Sequence, residues 1–322
     1  MTFLKEHYAE IFKKYTPPQL LKDIESFKTK KGKLTKVLNH FFKERIFECK
    51  GTRGQKSPME ALQNEKDIAW ILNYTQSKPK FYTGNDVQNV ESFFRNGGRL
   101  ACKVANFDPT NVRSILKRYE KGENLKILDT SAGFGSRMCA TLLTGHSYYG
   151  IDPNKELVKN LNECYAFLKE NNIVTPSQEC KIFCQGSETF IKELENSCDL
   201  MFTSPPYFNL EVYSTDGCAS TENYNNYNNW IEKFVKPTIE NIYKYMKVGG
   251  IVMINIKNLT RGGKEPLFDD WFNLFNTHIG FEFVETFEIN HQSKKNYIKN
   301  CNYSPEQYKG FKEPVMVFKK VK

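Results

Sequence analysis

The segment Leu128–Arg137, LDTSAGFGSR, combines an acidic residue with two glycines at close spacing. The apolar residues before Asp129 predict a strand, and Gly133 and Gly135 predict a tight turn that leads into a helix. Such a turn lets a ligand approach the backbone at the positive end of the helix. Alone, this pattern reflects ordinary strand–helix packing more often than a nucleotide site.

A second acidic residue, Asp152, ends the next predicted strand in the sequence Gly150-Ile151-Asp152. It lies roughly 20 residues beyond the turn, where a carboxylate can accept hydrogen bonds from both hydroxyls of a ribose. The two segments together predict a site for a nucleoside-containing cofactor. A dehydrogenase would usually carry three glycines in the turn, whereas this turn has two, so the pattern does not favour a dehydrogenase.

The third segment is TSPPYF, residues 203–208, at the end of the fourth predicted strand. Proline fixes φ and drives the preceding residue into an extended conformation, so we expect a rigid turn. This turn would present the Ser204 hydroxyl, a proline-turn carbonyl and the Tyr207 ring to one cleft. That arrangement suits a planar base with an amine, which donates to the two oxygens while Tyr207 stacks on the ring.

These segments need a parallel sheet to bring them together. From residue 125 onward, short apolar runs alternate with helical segments, which is typical of βαβ units. The last two strands have no room for a helix between them and should pair antiparallel. We predict strands at 125–129, 147–152, 180–185, 199–204, 250–256, 281–290 and 314–320, and helices near 135–144, 154–171, 187–195, 228–246 and 267–278.

The N-terminal part has a different pattern. Apolar residues at helical spacing, interleaved with lysine and broken at Pro17-Pro18, predict short basic helices over residues 1–50. Residues 50–58, KGTRGQKSP, predict a loop able to follow phosphates. Ser57, Pro58 and Glu60 predict a capping box at the start of a helix that contains Ala61, Leu62, Ile68, Ile71 and Leu72, and another helix should follow Pro109.

The net charge of +9 is unevenly distributed. Residues 1–120 hold 23 basic against 13 acidic residues (+10), and residues 292–322 hold 8 against 2 (+6). The middle of the chain holds 15 basic against 22 acidic residues (−7). Basic ends around an acidic centre favour a protein that docks on a polyanion while its middle forms a compact core, although lysine-rich stretches often serve solubility alone.

These segments together resemble those of a known family. Residues 125–258 are similar to the Class I S-adenosylmethionine-dependent methyltransferases, and SPPY looks like the [DNS]PP[YFW] motif of enzymes that methylate exocyclic amines of DNA bases. The resemblance continues through SYYGIDPN, CQGSE and VGGIVMINIKN and is typical of phage and bacterial N6-adenine and N4-cytosine DNA methyltransferases. It implies a Rossmann-like α/β fold with a seven-stranded, mostly parallel sheet and an antiparallel last strand.

The resemblance also implies a domain organisation and partners. Residues 1–105 would form a basic, mainly helical nucleic-acid-binding region, and residues 106–322 the methyltransferase domain, with a basic loop at 291–312 between the last two strands. The cofactor would be S-adenosyl-L-methionine, and DNA would contact the basic regions 1–120 and 292–322. Neither a metal nor a membrane is expected, and the oligomeric state stays open between monomer and homodimer.

Site residues follow from the resemblance, position by position. Asp129, Thr130, Gly133 and Gly135 would line the methionine end of the cofactor, and Asp152 would bind its ribose. Gly186, Ser187 and Glu188 would border its adenine, where the family more often has Asp. Asn106-Phe107-Asp108-Pro109 takes the place of a further cofactor-contacting element, whose Phe107 and Pro109 would pack beside the methionine.

The implied reaction is direct methyl transfer to the amine of a flipped base. Ser204, Pro205, Pro206 and Tyr207 would form the catalytic turn, with Tyr207 first and Phe208 second as stacking partners of the base. Tyr213, Tyr224 and Tyr227 would line the DNA path, unless this Asn/Tyr-rich segment is only a polar surface loop.

The target base remains open. Serine before PPY favours N4-cytosine, whereas the chain order, with the cofactor motif first, is commoner among N6-adenine enzymes. An RNA base-amine methyltransferase, a glutamine methyltransferase and a catalytically silent DNA-binding subunit are the alternatives. Neither the recognition sequence nor a biological role in restriction-modification, host defence or phage self-protection can be assigned.

Composition excludes several other classes. Hydrophobic residues make up 39% and aromatics 14% of the 322 residues, which is not the composition of a disordered chain. No stretch has the roughly 18 apolar residues of a membrane span, and the charged start does not look like a signal peptide, so we expect a cytoplasmic protein. The nine cysteines show no CxxC spacing and are expected to be reduced, metal-free thiols.

Overall fold

The computed structural model describes residues 2–51, 55–78, 82–96, 100–101, 103–208, 224, 226–258, 265–290, 297–299 and 313–322. Its centre is one eight-stranded sheet in the order β3-β2-β1-β4-β5-β8-β6-β7. The strands are β1 (Lys126–Asp129), β2 (Ser147–Ile151), β3 (Cys180–Phe183), β4 (Cys198–Thr203), β5 (Met246–Asn255), β6 (Phe281–Asn290), β7 (Tyr297–Lys299) and β8 (Pro314–Lys320).

The pairing of the strands confirms the predicted fold class. Strands β1 to β5 pair in parallel, and β8 runs antiparallel between β5 and β6. The predicted antiparallel pairing of β6 with the last strand is therefore confirmed. The three-residue strand β7 pairs antiparallel with β6 and lies within the stretch 291–312 that was expected to be a loop.

Helices lie on both sides of this sheet and at the N-terminus. They are α1 (Phe3–Ile11), α2 (Pro17–Lys28), α3 (Thr35–Glu48), α4 (Pro58–Leu62), α5 (Glu65–Gln76), α6 (Asp86–Arg95), α7 (Pro109–Tyr119), α8 (Ser136–Leu143), α9 (Lys155–Glu170), α10 (Tyr227–Trp230), α11 (Lys236–Tyr245) and α12 (Leu267–Thr277). Capping residues explain where several of these helices begin. Ser57 and Glu60 form the predicted capping box, and Asp108 accepts from the Thr110 amide so that α7 begins at Pro109.

Three predicted helices differ from the observed ones. The helix after Ser57 ends at Leu62, because Asn64 caps a new helix through the Lys66 and Asp67 amides. Residues 187–195 contain only a 3₁₀ turn at Lys192–Leu194. The helix predicted over 228–246 is divided by a π segment, Ile231–Val235. Pro237 follows it and has no N–H to donate to the preceding turn, which accounts for the change in register.

Alternating strand residues divide the core between the two sheet faces. Ile127 packs into one buried cluster and Leu128 into the other, as expected where successive side chains point to opposite faces of a sheet covered on both sides. The first cluster also contains buried side chains of the N-terminal helices, among them Ile24 and Phe42. The N-terminal helices are therefore packed directly against the sheet domain, with Asn160 of α9 donating to the Phe41 carbonyl at 2.5 Å.

Candidate cofactor and base site

A cavity opens at the carboxyl ends of β1, β2 and β4, where the order of the strands reverses. Ligands bind at this position in open α/β sheets. The cavity is lined by residues that follow four strands and by part of the N-terminal region: Arg45, Glu48, Cys49, Ala105, Asn106, Phe107, Thr130, Ser131, Gly133, Phe134, Arg137, Asp152, Pro153, Asn154, Leu157, Gly186, Ser187, Glu188, Ser204, Pro206, Phe208 and Phe234.

Asp129 lies beneath the cavity and does not line it. Its carboxylate is 1% exposed and accepts hydrogen bonds from Arg137 Nε at 2.7 Å, Tyr148 OH at 2.8 Å and Thr203 Oγ1 at 2.8 Å. These partners tie the ends of β1, β2 and β4 to the start of α8. Of the residues predicted at the methionine end of a cofactor, Asp129 is thus absent from the cavity lining and Thr130 is part of it.

The two glycines of the turn serve different purposes. Gly133 has φ +57°, lines the cavity, and donates its amide to Asp152 Oδ2 at 3.0 Å. Gly135 has φ +71° and lies outside the cavity; a Cβ there would be 2.3 Å from the Phe42 ring. The left-handed conformation favours glycine at both positions. At Gly135 the close neighbour is the N-terminal helix α3, so packing also requires glycine there.

Asp152 lines the cavity and is 8% exposed. Its Oδ2 accepts from the Gly133 amide and its Oδ1 from the Asn154 amide, both at 3.0 Å. Burial raises the pKa of this carboxyl to about 6, and the two amide hydrogen bonds oppose the shift. The carboxylate is thus held by backbone at the end of β2 beside the open cavity.

Glu188 carries a buried acceptor atom without a partner. Its Oε2 has no hydrogen bond among the described residues, while Oε1 accepts from Tyr224 OH at 3.4 Å. A Cβ on Gly186 would lie 2.2 Å from this Oε2, so glycine makes room for the carboxylate. Two residues hold Ser187 in place: its Oγ lies 2.9 Å from Thr238 Oγ1, and its carbonyl accepts a hydrogen bond from the Asn241 side chain. A buried unpaired carboxylate oxygen fits a ligand that brings a donor.

The segment 106–109 closes another side of the cavity. The side-chain amide of Asn106 donates to the Phe134 carbonyl at 3.0 Å, and the Phe107 ring packs edge-on against Phe202 with centroids 5.4 Å apart. Asn106 and Phe107 line the cavity. Pro109 does not, because it forms the first turn of α7.

The SPPY turn presents alternate residues to the cavity. Ser204, Pro206 and Phe208 line it, whereas Pro205 and Tyr207 do not. A two-residue alternation is what an extended segment gives, and each proline holds its predecessor extended. Phe208 has φ +33° and packs against Tyr227 and Trp230 with ring centroids 5.4 and 5.6 Å away. Tyr207, predicted as the first stacking residue, instead packs partly buried against the second core cluster.

The remaining predicted elements lie partly outside the described residues. Tyr213 is outside them, as are residues 52–54 of the basic loop and most of 291–312. Tyr224 contacts Glu188, and Tyr227 donates to Asp270 Oδ2 at 2.6 Å and packs with Trp230. Both are therefore engaged with the protein itself.

Six cavity residues lie outside the segments that the sequence analysis singled out: Arg45, Glu48, Cys49, Ala105, Leu157 and Phe234. Arg45, Glu48 and Cys49 come from the end of α3, and Phe234 from the π segment. Arg45 Nη1 is 2.6 Å from Glu48 Oε2, and burial raises the pKa of the Glu48 carboxyl while Arg45 opposes that shift. Their short-range sequence pattern is that of an ordinary surface helix, so no local signal marks them as site residues.

The described residues contain neither a candidate membrane span nor a candidate metal cluster. No helix there is both long and apolar enough for a membrane span. The same residues hold no cluster of three or more His, Cys, Asp or Glu side chains placed for a metal ion.

The strand order and the antiparallel β8 define a Rossmann-like Class I methyltransferase fold. Neither family models nor curated sequences match the chain. Solved structures similar to it include a TehB-like SAM-dependent methyltransferase from Corynebacterium glutamicum, with 18% identity over 65% of this chain and 87% of that one, TM-score 0.40. An rRNA methylase from Streptococcus thermophilus shares 12% identity over 68% and 100%, TM-score 0.40. A SAM-dependent O-methyltransferase from Thermotoga maritima shares 11% over 68% and 68%, TM-score 0.40.

Proposed function

We propose that the protein is an S-adenosylmethionine-dependent DNA methyltransferase that acts on the exocyclic amine of adenine or cytosine. The observation that carries the proposal is one cavity that joins Asp152, the unpaired Glu188 oxygen and the Ser204-Pro206-Phe208 side of SPPY. The ribose hydroxyls of the cofactor would donate to Asp152 and its adenine amine to Glu188. The amine of the target base would donate to the Ser204 hydroxyl and to a proline-turn carbonyl. The reaction requires all three groups side by side.

The cavity residues fit the cofactor by their chemistry. Asp152 would accept from the two ribose hydroxyls, because each of its oxygens has one amide donor and room for another. Glu188 Oε2 would accept from the adenine amine, which would satisfy the buried oxygen. Phe107 and Phe208 supply apolar walls. When bound, the cofactor supplies an electrophilic methyl group on a sulfonium.

The described chain would then position the target amine. Ser204 and a proline-turn carbonyl accept its two hydrogens, which directs the nitrogen lone pair at the methyl group. Transfer of the methyl group would form a nitrogen–carbon bond and break the sulfur–carbon bond to leave a neutral sulfur, and Ser204 or water would take the proton that the amine loses. Tyr207 does not line the cofactor cavity, and in this proposal it would stack on the flipped base next to the SPPY turn.

The basic ends would hold the nucleic acid. Residues 1–120 carry an excess of ten positive charges and contain helices α1 to α7, of which α3 contacts α9 and α7 contacts α8 of the sheet domain. Phosphate contacts from lysine and arginine give affinity without sequence information. RNA offers the same phosphates, so methylation of an RNA base amine is the outcome that would replace the DNA assignment.

Substitution of Ser204 tests the proposal. Ser204→Ala should reduce methyl transfer from labelled cofactor to unmethylated genomic DNA by roughly tenfold or more, since a hydrogen bond to the reacting amine is lost. The affinity for S-adenosylhomocysteine should stay close to that of the wild type. Ser197→Ala is the matched control, because Ser197 bonds to the Leu194 carbonyl away from the cavity. Equal turnover of Ser204→Ala and wild type would contradict the role of SPPY.

A further inference from the structure

The end of helix α3 forms one wall of the cavity, although it lies about 85 residues before the glycine turn in sequence. Phe42 of this helix packs on Gly135, and Phe41 accepts a hydrogen bond from Asn160 of α9. One helix therefore contacts both the glycine turn and the helix that follows Asp152. Arg45, one turn beyond Phe42, reaches the cavity between them.

The described cavity lining has an unbalanced set of charges. Glu48, Asp152 and Glu188 are acidic, and the two cations are Arg45 and Arg137. Arg137 is 8% exposed and already pairs with Asp129 through Nε at 2.7 Å, so it is committed to holding the glycine turn. Arg45 is the other cation among these residues, and its side chain is 29% exposed.

The guanidinium of Arg45 has donors to spare. Within the described chain its one ion pair is with Glu48, through Nη1 at 2.6 Å. A guanidinium carries five N–H donors in a planar fork, so this contact leaves donors on Nε and Nη2. Glu48 lies one turn further along the same helix and limits the rotation of the guanidinium. Such an arginine is suited to binding a carboxylate through two parallel hydrogen bonds.

We propose that Arg45 binds the α-carboxylate at the amino-acid end of the cofactor, with Glu48 as the residue that positions it. This inference rests on the proposed function, because it assumes S-adenosylmethionine as the ligand. The carboxylate is the cofactor's single anionic group, and Arg45 is the cation of this cavity lining whose guanidinium keeps donors beyond its pair with Glu48. The N-terminal region thus completes the cofactor site in addition to any role in binding nucleic acid.

Calorimetry with two ligands tests this inference. S-adenosylmethionine and decarboxylated S-adenosylmethionine share the adenosine, the sulfonium and the amine, and differ only in the carboxylate. Wild type should bind the first roughly 10- to 100-fold more tightly, because a charge-assisted bidentate contact is lost in the second. Arg45→Ala should bind the two with nearly equal affinity. Arg45→Lys, which keeps the charge without the fork, should fall between them.

The controls separate a specific contact from a loss of structure. Arg95→Ala removes an exposed arginine at the end of α6 and should retain the wild-type ratio. Arg45→Gln takes the place of the alanine variant if the latter melts at a lower temperature than wild type. An unchanged ratio in Arg45→Ala, or an equal weakening of both ligands, would overturn the carboxylate role. Failure of the wild type to bind S-adenosylmethionine would instead overturn the proposed function and this inference with it.

Discussion

The affinity for the cofactor should depend on pH through Asp152. Burial raises the pKa of this carboxyl to about 6 in the ligand-free protein. The ionised form accepts hydrogen bonds from two ribose hydroxyls, whereas the neutral acid must itself donate and loses one acceptor. Ligand binding therefore favours the ionised form, and affinity should be full above pH 6 and decline as the pH falls through that value.

The size of this effect follows from the pKa. With a pKa of about 6, roughly one tenth of the molecules carry an ionised Asp152 at pH 5. If binding lowers the pKa to about 4 or below, the dissociation constant of S-adenosylhomocysteine should rise about tenfold between pH 7.5 and pH 5, which is about 1.4 kcal/mol. The ligand's own carboxyl and amino groups do not titrate in this range.

The stability of the free protein should respond in the opposite direction. A folded-state pKa above the unfolded value of about 3.9 means that Asp152 stabilises the fold below that value and that this contribution is lost as the pH rises through 6. A shift of about two units corresponds to about 3 kcal/mol at neutral pH. Comparison of wild type with Asp152→Asn by urea unfolding at pH 5 and 7.5 isolates this contribution from that of other carboxylates.

Calorimetric titration with S-adenosylhomocysteine at several pH values is the assay. Asp152→Asn should bind more weakly at pH 7.5 and show no pH dependence between 5 and 7.5. Glu188→Gln should retain the pH dependence, because Glu188 lines the same cavity at a different position. A flat response in wild type, or the same slope in Asp152→Asn, would refute the assignment of the ribose contact to this residue.

Three other perturbations address packing, the base and the DNA. Gly135→Ala should lower the free energy of unfolding by urea by about 2 to 5 kcal/mol, because it places a Cβ against Phe42 at a residue with positive φ. Phe42→Ala in the same chain should recover part of this loss, and strictly additive effects of the two substitutions would contradict the contact. Tyr207→Ala should lower turnover on DNA much more than affinity for S-adenosylhomocysteine, and a wild-type rate would remove the stacking role. DNA affinity should fall roughly 10³-fold or more between 50 and 200 mM salt if six or more phosphates are neutralised, and a flat response would remove the argument from the basic ends.

Local signals account for what the sequence predicted well. The strands other than β7 are marked by apolar runs, and the turn glycines, the Ser57 cap and the Pro-Pro pair act within a few residues of themselves. Asp152 follows from its place at the end of β2. The alternation of these elements indicates a layered α/β fold with a parallel sheet, and the lack of room for a helix before the last strand accounts for its antiparallel pairing.

Contacts across long sequence separations account for what was missed. Arg45 lines the cavity because α3 packs against α8 and α9, and nothing near Arg45 in sequence indicates that contact. Residues 187–195 have helical spacing, yet Ser187 is held by Thr238 and Asn241 of α11, and only a 3₁₀ turn forms. Asp129 was expected to face the ligand, but its buried partners Arg137 and Tyr148 could be identified only in the folded chain.

The most direct test of the account is the identity of the methylated product. Purified protein is incubated with labelled S-adenosylmethionine and either unmethylated genomic DNA or total RNA, and each nucleic acid is digested to nucleosides for mass spectrometry. We expect N6-methyldeoxyadenosine or N4-methyldeoxycytidine in the DNA, and its absence with the Ser204→Ala variant. Label in RNA alone, or none in either despite measurable cofactor binding, would contradict the assignment as a DNA methyltransferase.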